Sequence, residues 1–197
     1  GLLKNLGVSE TQPSFPNPVS SVRAVWCFAD IPHALKLLRN HFIDSGFKMP
    51  SGAIFQKSVI QNVMDKDSEE VKVAYQLQPA HLTVIGMERQ NVRLAAQLFS
   101  RKTAAAIRYI MPDNSEMADF FTLVNDAFDL LNVRHKQGKF ASTTAYGLKL
   151  DEQNRILDAM SDACARLTVI GKQSLLPFQK GFVMSIAAVK GLFCQLQ

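Results

Sequence analysis

Cysteine is scarce and dispersed: Cys27, Cys164 and Cys194 lie far apart, with no CxxC pair among them. That pattern argues against a disulfide framework or a cysteine-ligated zinc site and suits a reducing compartment. His33, His41, His81 and His135 are equally scattered. No apolar run approaches the roughly eighteen residues that a membrane-crossing helix needs, and the opening GLLKNLG is neither a signal peptide nor an initiator methionine. We therefore expect no membrane partner, and a segment of a longer protein. There is no internal repeat and no low-complexity tract. The phosphate-cradling GxxxxGK[ST] loop is also missing, which excludes nucleotide binding of the ordinary P-loop kind. Charge of one sign is in short supply too: 22 Lys+Arg against 17 Asp+Glu leaves +5, compatible with a polyanionic partner without demanding one.

What is present is enough apolar residue to build a core, 47% of 197 positions. The chain is organised around VWCFADIPHALKLLRNHFI. Val25 to Ala29 is a short apolar run that reads as a strand buried on both faces. Pro32 then falls in the first turn of a helix whose apolar positions are Ala34, Leu37, Leu38 and Phe42. Asp30 stands at the strand-to-helix junction, a place favoured for a carboxylate both by the helix N-terminus and by catalytic display at strand ends. Before it, Pro13, Pro16 and Pro18 predict a loop over residues 9–21, and Leu2 to Leu6 is read as a short helix end.

After Gly46 the period becomes helical. One stripe runs through Ile54, Phe55, Val59, Ile60 and Val63, while Val71 to Leu77 fits either a strand or a helix. Met87 to Ile110 reads as helix divided near Ser100 to Thr103. Ser115 to Arg134 reads as the clearest helix, with an Asp113/Glu116 capping box and a stripe through Met117, Phe120, Phe121, Val124, Phe128 and Leu131. Gly138 to Gly147 is a polar loop. Asp151 is placed to cap a further helix that Gly171 ends, Pro177 to Ile186 is read as a returning strand, and Ala187 to Leu196 as a helix behind it. The expectation is a mainly α fold, a helical insertion (47–172) flanked by a small α/β layer built from both chain ends (1–46 and 173–197).

FADIPHALKLLRNHFIDSG resembles the catalytic-aspartate segment of the P element transposase family, and RLAAQLFSRKTAAAIR, MADFFTLVNDAFDLLN, YGLKLDEQNRILDAMS and LPFQKG match that family in the same order. The resemblance implies an RNase H-like DNA transposase interrupted by a helical GTP-binding insertion. It implies DNA and a guanine nucleotide as partners, Mg2+ in the full-length enzyme, a nuclear location, and leaves homo-oligomerisation open. By the resemblance Asp30 is a catalytic metal ligand. Val92, Ser100, Phe128, Asp129 and Asn132 become nucleotide contacts, with Phe128 stacking on the base and Asp129 accepting from the guanine edge. From periodicity alone the favoured reading is that Phe128 is core and that Asp129 and Asn132 are solvated. Gln76 and Asn91 stand where the family has nucleotide-facing lysines, and a family aspartate falls near Glu70; Lys72, Arg89, Arg93, Arg101 or Lys102 are candidates to compensate. The alternative is a domesticated, non-catalytic descendant whose helical domain is a protein- or DNA-interaction module without GTP binding.

Overall fold

A computed structural model describes residues 5–67, 72–83, 85–133 and 136–197. The fold is mainly α. The elements in chain order are β1 (Ser14–Asn17), β2 (Ser20–Trp26), α1 (Ile31–Asp44), β3 (Phe47–Lys48), β4 (Ile54–Phe55), α2 (Lys57–Lys66), α3 (Val92–Leu98), α4 (Arg101–Ile110), α5 (Ser115–Leu131), α6 (Leu150–Arg166), β5 (Thr168–Val169) and α7 (Pro177–Leu196). Short 3₁₀ turns join several of them, including Pro79–His81, Gly86–Gln90 and Ala141–Thr143.

The core is built on aromatic rings brought together by helical spacing. Phe42 of α1 meets Phe121 of α5 edge-on at 5.5 Å, and Phe99, just past α3, meets the same ring at 4.8 Å. Phe47 of β3 lies 6.0 Å from Phe120 and 6.1 Å from Phe178 of α7. Such offset and edge-to-face pairs add to the area term of burial. One apolar cluster thus runs from α1 through α5 to α7. Two buried glutamines organise the loops around it. Gln153 donates to the Ala141, Thr144 and Ala145 carbonyls and accepts from Gly147 N and Lys149 N. Gln179 donates to the Cys164 and Leu167 carbonyls and accepts from Leu176 N. Each satisfies backbone groups that would otherwise be buried without partners.

The sheets are small. β1 and β2 form an antiparallel hairpin, and β3 is the centre of an antiparallel three-stranded patch, Phe47 opposite both Phe55 and Val169. Several expectations change here. Residues 9–21 are not a plain loop, since β1 and the start of β2 occupy them. The strand at Val25 ends at Trp26 and is not buried on both faces: it pairs only with β1, and Phe28 beyond it is 49% exposed. Pro177 to Ile186 is helix, not strand, because Phe178, Phe182, Ser185 and Ile186 bury one face at a spacing of three and four, with Pro177 pre-set in the first turn. The two chain ends nevertheless meet: Ala29 N donates to Ser185 Oγ at 2.9 Å, and Gln195 Oε1 accepts from Ala24 N and Trp26 Nε1.

Caps also differ. Asn114 precedes α5 with no side-chain cap, and Glu116 accepts from Ser51 Oγ instead of closing a box. Asp151 lies inside the first turn of α6, after Lys149 at the cap position, and that helix ends at Arg166, before β5 and the Gly171 turn. α5 stops at Leu131, while the expected end at Arg134 falls outside the described residues, as do Glu70 and Leu2 to Lys4. The ambiguous stretch before Leu77 is turn over Val73 to Gln76.

Candidate functional site

Ser100 divides α3 from α4 as the sequence predicts, and it does so by capping: its Oγ accepts from Thr103 N at 3.2 Å. The cap places Arg101 in the first turn of α4, facing the second half of α5. There Arg101 Nε and Nη2 each reach Asp126 at 2.7 Å in a two-pronged clamp, and the guanidinium lies 4.8 Å from the centre of the Phe140 ring. A planar guanidinium is suited to both contacts at once. Asn125 Nδ2 bridges from Asp126 Oδ1 (3.2 Å) to Asp129 Oδ2 (2.9 Å).

Asp129 is therefore held from one side only. It is half-buried, and desolvation pushes its carboxyl above the ordinary carboxylate range. The Asn125 hydrogen bond opposes that shift, the Asp126 charge adds to it, and the Arg101 charge opposes it. Oδ1 accepts no hydrogen bond from any described residue, so the group retains capacity to accept.

Of the positions that the sequence singles out, Ser100 and Asp129 are thus drawn to one junction through Arg101, Asp126 and Asn125. Phe128 is half-buried and packs against the core, while Asn132 is exposed and ends α5 with its backbone N–H on the Asp129 carbonyl. Asn91 and Val92 lie at the other end of α3. Asn91 is the cap of that helix, its Oδ1 accepting from Leu94 N at 3.2 Å. α3 spans Val92–Leu98, so at about 1.5 Å per residue its two ends are about 10 Å apart. Gln76 sits in the turn beside Tyr75, and its Nε2 is buried without a hydrogen-bond partner. Arg101 is among the candidate cations, but its pairing with Asp126, and the parts played by Asn125, Asp126 and Phe140, escape a sequence reading because each looks like an ordinary surface residue. The only signal was Asn125 four residues before Asp129, one helical turn away.

Of the candidate compensating cations, Arg89 pairs with Asp44, and Arg101 with Asp126. Lys102 contacts the Tyr75 hydroxyl, and Lys72 and Arg93 are exposed. Asp30 stands at the start of α1. It is exposed and caps α1, its Oδ1 accepting from His33 N at 3.0 Å. That geometry is the helix-terminus arrangement, and it leaves the second oxygen of Asp30 open.

Residues 32–144 match the family described as TNP-like, GTP-binding insertion domain. Along 203 aligned positions the chain is 34% identical to the Transposable element P transposase of Drosophila melanogaster, covering 100% of this chain and 27% of that protein. It is 25% identical over 218 positions to the DNA transposase THAP9 of Homo sapiens, covering 98% and 23% respectively. It also superimposes with a TM-score of 0.91 and 35% identity on a chain of the Drosophila P element transposase strand transfer complex, covering 100% of this chain and 46% of that one. The chain spans about a quarter of the length of the curated relatives it matches. With more than half its residues inside the match, and with α3, α4 and all of α5 included in it, the chain belongs to the TNP-like, GTP-binding insertion domain family.

Proposed function

We propose that this chain is the guanine-nucleotide-binding portion of a P element-like DNA transposase. Residues 47–172 are its helical insertion, and 1–46 with 173–197 contribute to an RNase H-like layer. The observation that carries the reading is the Asp129 carboxylate, fixed by Asn125 on one oxygen and open on the other. An ionised carboxylate accepts from the ring N–H and amino group of guanine, whereas adenine presents an unprotonated ring nitrogen there and leaves the carboxylate badly paired. Ser100, Phe128 and Asn132 flank it in this reading, with Val92 and Asn91 further along α3 and Gln76 in the adjacent turn. Calorimetric titration is the test. GTP should bind more tightly than ATP, and Asp129→Ala should remove the difference; no binding of either at millimolar concentration, about the −4 kcal/mol level, would overturn the reading.

The RNase H-like layer gives Asp30 a role as one carboxylate of a divalent-metal centre. Asp30 would hold Mg2+ there together with further carboxylates, and the ion would supply activation of an attacking oxygen and stabilisation of a leaving one. Among the described residues no group of three or more His, Cys, Asp or Glu stands together that could hold a metal. Asp30 alone does not compose such a centre, and we assign its further ligands to the longer protein. On that assignment the isolated chain does not cut DNA, and Mg2+-dependent cleavage by the purified chain would refute it. The nucleus is the location that this reading assigns, since the structural relative belongs to a P element transposase strand transfer complex.

A second reading has one observation in its favour. Gln76 and Asn91 are uncharged, and Asn91 is committed to capping α3. A non-catalytic descendant whose helical domain serves in protein or DNA contacts would tolerate both, and the titration separates the two.

A further inference from the structure

We propose that Arg101 is a positioning residue for base recognition and not a phosphate ligand: through Asp126 and Asn125 it holds the Asp129 carboxylate where guanine is read. The inference rests on the nucleotide reading above. Its charge and its place in the first turn of α4 make Arg101 look like a substitute for the cations missing at Gln76 and Asn91. Its contacts point elsewhere. Nε and Nη2 reach different oxygens of Asp126, each at 2.7 Å, and the Phe140 ring covers the guanidinium at 4.8 Å. The Asp126 side chain is only 12% exposed, so its charge leans on this partner more than a surface carboxylate would.

Asn125 carries the effect onward. One terminal atom of its amide lies 3.2 Å from Asp126 Oδ1 and 2.9 Å from Asp129 Oδ2. Ionised carboxylates only accept, so that atom is the nitrogen, and its two hydrogens are divided between the two groups. The division is balanced only while Arg101 satisfies Asp126. Without the guanidinium, Asp126 keeps a buried charge whose remaining side-chain donor among the described residues is Asn125. The amide is then drawn toward Asp126 and away from Asp129, and two carboxylates three residues apart on one helix repel each other uncompensated. The charges that act on Asp129 are these two, Asp126 from α5 itself favouring the protonated form and Arg101 from α4 opposing it. Loss of Arg101 therefore leaves Asp129 less well aimed and more readily protonated, and a protonated carboxyl accepts poorly from the two N–H groups of guanine.

The test is titration with GTP, ATP and guanosine across a range of pH, using wild type, Arg101→Met, Arg101→Met/Asp126→Asn, Asn125→Ala and Arg108→Met, with thermal melts to show that each variant is folded. Arg108 pairs with Asp119 between the same two helices and controls for the loss of an ion pair there. Arg101→Met should weaken GTP and guanosine alike, by about tenfold, reduce the preference for GTP over ATP, and move the acid limit of GTP binding to higher pH. Arg101→Met/Asp126→Asn should bring that limit back and recover part of the preference, because the stranded charge is gone and Asn125 still has an oxygen to donate to. Asn125→Ala, which leaves the Arg101 and Asp126 pair in place, should also lose the preference, and Arg108→Met should match wild type. A loss of GTP affinity with guanosine binding and the acid limit unchanged is the signature of a phosphate ligand, and it overturns the inference while the nucleotide site stands. Wild-type behaviour in Arg101→Met or Asn125→Ala, a double variant no better than the single one, or an equal loss in Arg108→Met overturns it as well. Failure of wild type to bind GTP or guanosine refutes both readings.

Discussion

Arg39 Nη2 donates to the Glu88 carbonyl at 2.6 Å, joining the middle of α1 to the Gly86–Gln90 turn that leads into α3. Nη1 reaches the Asn91 carbonyl at 3.3 Å, and beside them Asn40 Nδ2 donates to the Arg89 carbonyl and Lys36 Nζ to Gln90 Oε1. One polar stripe of α1 thus holds the turn that sets Asn91 and Val92.

Arg39 is fully buried, and burial above all, then the Arg89 charge, lowers its pKa, with Glu88 opposing. A guanidinium stays protonated even so. Arg39→Met would fill the space and relieve the buried charge, but it would leave the Glu88 and Asn91 carbonyls short of donors, a loss of about 1–3 kcal/mol before that relief. We expect a net destabilisation near the lower figure, read as a lower urea midpoint, together with faster amide exchange over residues 88–94. Unchanged exchange in that segment would show that the stripe does not hold the turn.

Gly191 is required by the only tryptophan. A Cβ at Gly191 would come within 2.0 Å of the Trp26 ring, so the hairpin of β1 and β2 seats its indole directly on the backbone of α7. Gly191→Ala raises helix propensity by up to about 1 kcal/mol, but the overlap costs about 1–3 kcal/mol, so the ring must move. The expected result is a red-shifted Trp26 emission with a small drop in melting temperature. An unshifted spectrum would mean that α7 bends instead.

The helical insertion was largely legible because its stripes are long: Phe120, Phe121 and Val124 of α5 are buried as their spacing predicts, and the division at Ser100 is a real cap. The chain ends were less legible. Cys27 to Ala29 have strand-forming composition, yet after Cys27 N bonds the Pro13 carbonyl the chain turns away from the hairpin, and Ala29 bonds Ser185, a partner 156 residues away. Phe182 to Ile186 has enough apolar residue for a strand, but its spacing is set by the face that α7 turns to the core. The resemblance pointed to Asp129; the Arg101–Asp126–Asn125 chain that orients it depends on how α4 and α5 face each other, and a one-dimensional pattern does not carry that.

Asp129 offers a test in which stability and binding move in opposite directions. Its folded-state pKa is raised, chiefly by desolvation, so the folded protein holds the proton more tightly than the unfolded chain does. The resulting stability is fully present below the ordinary aspartate value of about 3.9 and is lost as pH rises through the raised folded value. At neutral pH the ionised carboxylate is then a net cost. Asp129→Asn keeps an oxygen for Asn125 Nδ2 and removes the charge beside Asp126. The variant should be as stable as wild type at pH 7, or more stable by up to about 1 kcal/mol after solvent screening, with the advantage vanishing in acid. Its single amide oxygen accepts less well from guanine than a carboxylate does, and its NH2 faces the ring N–H badly, so the preference for GTP over ATP should collapse. Urea midpoints at neutral and acid pH, paired with the two titrations, measure both arms. A variant that is destabilised at neutral pH would show that Asp129 is there to hold the fold, and one that keeps its GTP preference would move the guanine contact to another residue.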